Sequence, residues 1–163
     1  NETAAAWRYI VGADGPVALL LTRQDVPVLA GSTDHDAVAR GAYVLADPDG
    51  EPDVVLIGTG SEVAVALDAA ATLTAAGHSV RVVSMPCTEL FAEQADGYRA
   101  SVLPAGIPTV SVEAGVTFGW ARWADTSIGI DRFGASAPGD QAMTGLGITP
   151  AAVVAAAESL LGT

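Results

Sequence analysis

Apolar residues fall along this chain in short unbroken runs separated by stretches of helical period, most clearly between Asp53 and Pro86. Val54–Ile57 is uninterrupted and apolar, the pattern of a parallel strand buried on both faces. Gly58-Thr59-Gly60 then turns the chain. Ser61 is placed to cap a helix, and Glu62 suits that helix's positive end. Val63, Leu67, Ala70 and Leu73 recur at helical spacing, Gly77 stops the helix, and Val80–Val83 reads as a second buried strand. Strand, helix and strand within about thirty residues predict one right-handed βαβ crossover.

The flanks extend this pattern. Glu2–Val11 reads as an Ala-rich helix with Trp7 and Ile10 on one side, broken by Gly12–Pro16. Val17–Leu21 is an all-apolar run predicted as a strand, closed by Thr22-Arg23-Gln24-Asp25. Pro, Gly, Ser and Asp from Val26 to Asp36 then interrupt the pattern and read as a linker. A helix and a strand cannot bury their own apolar faces. Asn1–Gln24 is therefore assigned to a different folding unit, one that needs a larger neighbour.

Beyond the linker, Ala42–Ala46 is predicted as an edge strand, and Asp47-Pro48-Asp49-Gly50 as the turn of an antiparallel hairpin leading to Val54. Glu89–Gln94 and Gly97–Val102 read as short helical turns, and Thr109–Val112 as a third parallel strand. Phe118–Trp123 reads as a short aromatic helix and Ser127–Ile130 as a last strand. Pro138 suits the start of a helix running to about Gly145, and Thr149-Pro150 the cap and first position of a final helix, Ala151–Leu161. The expected fold is α/β, a three-layer α/β/α domain around a mostly parallel five-stranded sheet with one antiparallel edge strand.

Composition narrows the function classes. The 163 residues are 50% apolar but only 6% aromatic, so the core must be built from Ala, Val and Leu. A net charge of −12, with Arg as the only strong base, argues against nucleic acid and anionic membranes as partners. No uninterrupted apolar run reaches the roughly 18 residues of a bilayer span, and no basic-then-apolar leader opens the sequence. Cys87 is the only cysteine, and His35 and His78 the only histidines, which leaves little for a metal site. A reducing, cytoplasmic location is expected.

Few residues suggest chemistry. Gly58-Thr59-Gly60 has the start of a dinucleotide fingerprint, but Val63 stands where the third glycine belongs and no acid closes Val80–Val83. A tight strand-to-helix turn explains these glycines. Ser61 sits in no nucleophile elbow. His35-Asp36 reads as a turn pair, and Cys87 as a packed thiol with no cation beside it. Glu113 ends a predicted strand on the side where α/β folds hold ligands, with a structural role as the alternative. Arg23 follows the Val17–Leu21 run directly and offers a donor fork suited to phosphate oxygens, against the alternative of a surface or ion-paired arginine.

Seven words in order carry a resemblance: Leu21-Thr22-Arg23-Gln24, Arg40-Gly41-Ala42-Tyr43-Val44-Leu45, Gly58-Thr59-Gly60-Ser61-Glu62-Val63, Val82-Val83-Ser84-Met85-Pro86, Tyr98-Arg99-Ala100-Ser101-Val102-Leu103-Pro104, Ser111-Val112-Glu113-Ala114-Gly115 and Phe133-Gly134-Ala135-Ser136-Ala137-Pro138. Over nearly its whole length the chain resembles the C-terminal portion of the transketolases. The resemblance implies that residues 1–24 end a pyrimidine-binding domain, 25–40 link, and 41–163 form the C-terminal domain.

It also implies transfer of a two-carbon ketol unit between sugar phosphates, with thiamine diphosphate and Mg2+ (or Ca2+) held at a homodimer interface. The family's metal ligands, diphosphate contacts and catalytic residues have no counterpart in this stretch. No catalytic, cofactor or metal residue is therefore expected in it, and the isolated chain is expected to be inactive. Only Arg23 carries over, as a contact to the substrate phosphate. The rival readings are the tail of a relative such as dihydroxyacetone synthase, and a free-standing interaction or regulatory-ligand module.

Overall fold

The computed structural model of the chain describes residues 1–29 and 35–163. Its centre is β2 (Val54–Gly58), buried at every position. Val54 and Leu56 point into one apolar cluster and Val55 and Ile57 into another, as the two-residue period of a strand requires. Burial on both faces leaves no room for polar alternation, which explains the unbroken apolar run.

The sheet order is β1-β3-β2-β4-β5, with β1 at Tyr43–Ala46, β3 at Val80–Ser84, β4 at Thr109–Val112 and β5 at Thr126–Ile128. β3, β2, β4 and β5 pair in parallel, and β1 joins the edge antiparallel to β3. The expected hairpin between β1 and β2 does not form. Residues 47–53 carry the chain past β3, whose insertion between the two strands satisfies both of its ladders. The expectation of one antiparallel edge strand stands, although its partner differs.

Helices cover both faces. On one, α3 (Glu62–Ala75) and α7 (Pro150–Leu161) pack together over β2 and β4. On the other lie α4 (Thr88–Ala92), α5 (Asp96–Val102) and the 3-10 turn Trp120–Arg122, contributing Phe91, Val102 and Trp120. α3 meets the sheet through Val63, Ala66, Ala69, Ala70 and Leu73, while the expected Leu67 is only half-buried. Small alanines let the helix backbone approach the strands, so a larger side chain is displaced to the flank. α6 (Gly139–Gly145) precedes α7 across a bend containing Gly147. The stretch Gly139–Leu161 is long and apolar enough on average to cross a membrane, but that bend divides it and α7 covers the sheet.

Thr149 caps α7 as expected: its backbone is extended and its Oγ1 accepts the N–H of Ala152. Ser61 does not cap α3. Its backbone is already helical, and the N–H of Glu62 turns back to the carbonyl of Thr59, so the Ser61 hydroxyl donates instead to Glu62.

At the edge, α1 (Glu2–Val11) and α2 (His35–Ala39) pack against one another beside β1. Ala5, Ala37, Val38 and Tyr43 close a small cluster there. Glu2 Oε1 accepts hydrogen bonds from Tyr43 Oη at 2.8 Å and from Ser84 Oγ at 2.5 Å, joining α1 to the edge strand β1 and to its neighbour β3. Val17–Leu21 forms no strand, because no ladder partner stands beside it among the described residues; Leu20 and Leu21 are exposed. The expected linker becomes helical at α2, and its residues 30–34 lie outside the described part.

Candidate functional site

The chain order places a crevice at the sheet's carboxyl edge. From β2 it moves through α3 to β3 on one side, then crosses back through α4 and α5 to β4 on the other. β2 and β4 are thus the neighbours between which the connections diverge, the switch point where open α/β sheets offer a binding crevice. A cleft of about 970 Å3 opens there, between the exits of these strands and the extended segment Ala18–Leu29.

The turn after β2 forms part of its floor. A Cβ on Gly58 would lie 2.7 Å from Val63 Cα, so this glycine permits close strand-to-helix packing. Gly60 has φ +56°, a left-handed turn position. Both glycines are accounted for by the turn, in agreement with the sequence reading. Glu62 is buried at 5% exposure; its Oε1 accepts from Ser61 and its Oε2 from the N–H of Ala114 at 2.9 Å. Glu113, at the end of β4, accepts the indole N–H of Trp120 at 2.7 Å. That contact fixes the loop between β4 and the aromatic turn, which is the structural alternative raised for Glu113.

Four carboxylates line the cleft, from Glu2, Glu62, Glu89 and Glu113, and each accepts at least one hydrogen bond. Arg23 lines the same cleft, is exposed, and is the only guanidinium among the described lining residues. It makes no hydrogen bond or ion pair among the described residues, so its donors are unspent. The sequence suggested Arg23, but it gave no sign that Glu62 bridges the two strand exits, because 52 positions separate Glu62 from Ala114. Nor did it show that Glu2 reaches across to Ser84.

The other sequence candidates stand outside this arrangement. Cys87 is half-buried, with its Sγ 3.6 Å from Glu89 Oε2. Burial and then the Glu89 charge push its thiol up from the ordinary value, opposite to what a reactive thiolate requires. Glu89 itself is held below the usual carboxylate range by its own backbone N–H and by the Thr88 hydroxyl. His78 is half-buried behind α3, with its backbone N–H on Leu73. Asp36 is exposed in the first turn of α2; the backbone of His35 begins that helix, and its side chain lies outside the described part. Among the described residues, no group of three or more His, Cys, Asp or Glu is placed to hold a metal ion.

Residues 41–149 match the family model described as the Transketolase-like TK C-terminal domain. The chain is 49% identical to Transketolase 7 of Craterostigma plantagineum, over 98% of its own length and 25% of the relative's. It therefore spans about a quarter of that curated relative. A transketolase structure from Leishmania mexicana superposes with a TM-score of 0.94 at 42% identity, covering 99% of this chain and 24% of that one. A Pichia stipitis transketolase, solved in complex with sedoheptulose 7-phosphate, gives 0.92 at 36% identity with the same coverage of each chain.

Proposed function

The chain belongs to the transketolase family, and on that premise we propose that it is the C-terminal part of an enzyme that transfers a two-carbon ketol unit between sugar phosphates. The observation that carries this reading is the 49% identity to a transketolase, sustained over 98% of the chain. Sugar phosphates as substrates are supported by the Pichia stipitis relative, which was solved with one bound.

In this reading residues 1–24 end the pyrimidine-binding domain, 25–40 link, and 41–163 are the C-terminal domain. The family-model match beginning at residue 41 supports that division. So do Trp7, Val11, Val17, Leu20, Leu21, Val26 and Val28, all of them exposed and apolar at the N-terminal end. Such a concentration marks a surface that another part of a protein covers.

The whole enzyme would be a cytoplasmic homodimer using thiamine diphosphate and a divalent cation, Mg2+ or Ca2+. The residues described do not fit that cofactor. Among them no group of three or more His, Cys, Asp or Glu is placed to hold the cation that the diphosphate requires. No reaction step is assigned to them. Arg23 would hold the substrate phosphate and so position the reacting carbonyl elsewhere in the enzyme.

The test is ketol transfer by the intact gene product, with and without thiamine diphosphate and magnesium, beside the 163-residue chain alone. Cofactor-dependent transfer by the intact product and none by the chain is expected. Transfer by the chain alone, or none by the intact product, overturns the reading.

A further inference from the structure

The opposite end of the sheet carries a second cavity, of about 410 Å3, beside Thr109 at the start of β4 and Asp125 just before β5. Its size lies within the roughly 300–1,000 Å3 usual for small-molecule sites. Leu103, Ile107 and Trp123 give it an apolar wall. The ring of Trp123 is held by Phe91, 5.1 Å away between centroids.

Two of the chain's guanidinium groups, Arg99 and Arg122, reach this groove although the protein as a whole is strongly acidic. Arg99 is committed to the carbonyl of Ala92 and to Asp96. Arg122 is not. Its Cζ lies 4.7 Å over the Trp123 ring, and it makes no hydrogen bond or ion pair among the described residues. A guanidinium held over an indole is pre-organised, and its N–H donors remain available to a planar or tetrahedral anion. Asp125 does not spend those donors: its Oδ2 accepts the N–H of Thr109 at 2.9 Å.

We propose that this groove binds a small organic anion, its phosphate or carboxylate head on Arg122 and its apolar body against Leu103, Ile107 and Trp123. The site lies at the far end of the strands from the Arg23 cleft and is independent of the catalytic reading.

The intact protein, labelled with 5-fluorotryptophan, is titrated with phenyl phosphate, benzoate and inorganic phosphate while the Trp123 19F resonance is followed. Trp123→Phe assigns that resonance. Saturable movement with phenyl phosphate identifies a phosphate head, and with benzoate a carboxylate head. Inorganic phosphate should be at least tenfold weaker than the better of the two, for want of an apolar body. Arg122→Gln, at an exposed position, should fold with an unchanged unfolding midpoint and lose at least tenfold in affinity. Arg23→Gln should leave the titration as it is. No saturable shift with either organic probe overturns the proposal. So does an unchanged affinity in Arg122→Gln, a loss in Arg23→Gln, or inorganic phosphate binding as well as the organic probes.

Discussion

Glu62 Oε2 accepts the backbone N–H of Ala114 at 2.9 Å, joining the exits of the two strands that bound the cleft. Removing this buried acceptor loses a hydrogen bond to a charged group, and Glu62→Ala is expected to cost about 1.5–3 kcal/mol. Glu62→Gln should cost less. Its carbonyl can replace the carboxylate at Ala114, and the Ser61 hydroxyl can turn from donating to accepting the new amide. Urea unfolding checks both: the midpoint should fall in the order wild type, Gln, Ala, with an unchanged slope. Equal midpoints for all three would mean that the bridge contributes nothing.

Gly58 and Gly60 belong to one turn but should fail differently. At Gly58 an added Cβ meets backbone atoms of Val63 at 2.7 and 2.9 Å, which cannot move without shifting α3. Gly58→Ala is expected to cost about 1–3 kcal/mol through overpacking. At Gly60 nothing lies within 4 Å of an added Cβ, and the cost comes only from φ +56°. Gly60→Asn should therefore be tolerated better than Gly60→Ala, since Asn adopts left-handed backbone more readily. Thermal midpoints of the variants test this; a rescue of Gly58 by Asn would contradict it.

The same turn shows what the sequence could reveal. β2, α3, β3 and α7 were legible because each is specified by a local period or by a cap adjoining its own helix, as at Thr149. Ser61 misled because a capping residue type says nothing about its own backbone, which here is already helical. β1 was recognised as an edge strand, but its neighbour was not, since no pattern in residues 42–54 reports that β3 inserts between β1 and β2. Val17–Leu21 has the composition of a strand and lacks a partner to pair with among the described residues. Arg23 could be named from its position after that run. The carboxylates around it are set by contacts between distant residues, such as Glu2 with Ser84 and Glu62 with Ala114.

Cys87 should be slow to alkylate. Burial and the neighbouring Glu89 carboxylate both disfavour its thiolate, so the pH–rate profile with iodoacetamide should have its midpoint above the ordinary 9.0. Raised in the fold, this group adds stability while protonated, a contribution lost as pH rises through the folded pKa. Glu89→Gln removes the nearby charge and should bring the midpoint down. A midpoint below 9.0 in the unaltered protein would reverse the assignment.

Asp131 clips the loop after β4, its Oδ1 accepting the Thr117 N–H and its Oδ2 the Thr117 hydroxyl, both at 2.8 Å. These bonds favour the carboxylate and hold its pKa below the ordinary 3.8. A lowered pKa means the clip is intact above the unfolded value and is lost as pH falls through the folded one. The Thr117 amide shift should therefore titrate with a midpoint below 3.8, and Asp131→Asn should abolish that titration. A midpoint at or above 3.8 would show that the clip does not form in solution.

Arg23 faces a cleft whose carboxylates already accept other donors, so its own donors remain for a bound anion. An arginine that grips a phosphate remote from the reacting carbon stabilises ground state and transition state alike, which raises KM and leaves kcat little changed. In the intact enzyme, Arg23→Ala is expected to raise KM for phosphorylated sugars about tenfold or more, the scale of a lost charge-assisted hydrogen bond. Unphosphorylated ketoses should be almost unaffected, because they lack the group that Arg23 would hold. Arg23→Lys should recover part of the loss, keeping the charge but not the planar fork. Steady-state kinetics on matched phosphorylated and unphosphorylated donors separate the cases: an equal loss on both would mean that Arg23 supports the local structure and does not bind the phosphate.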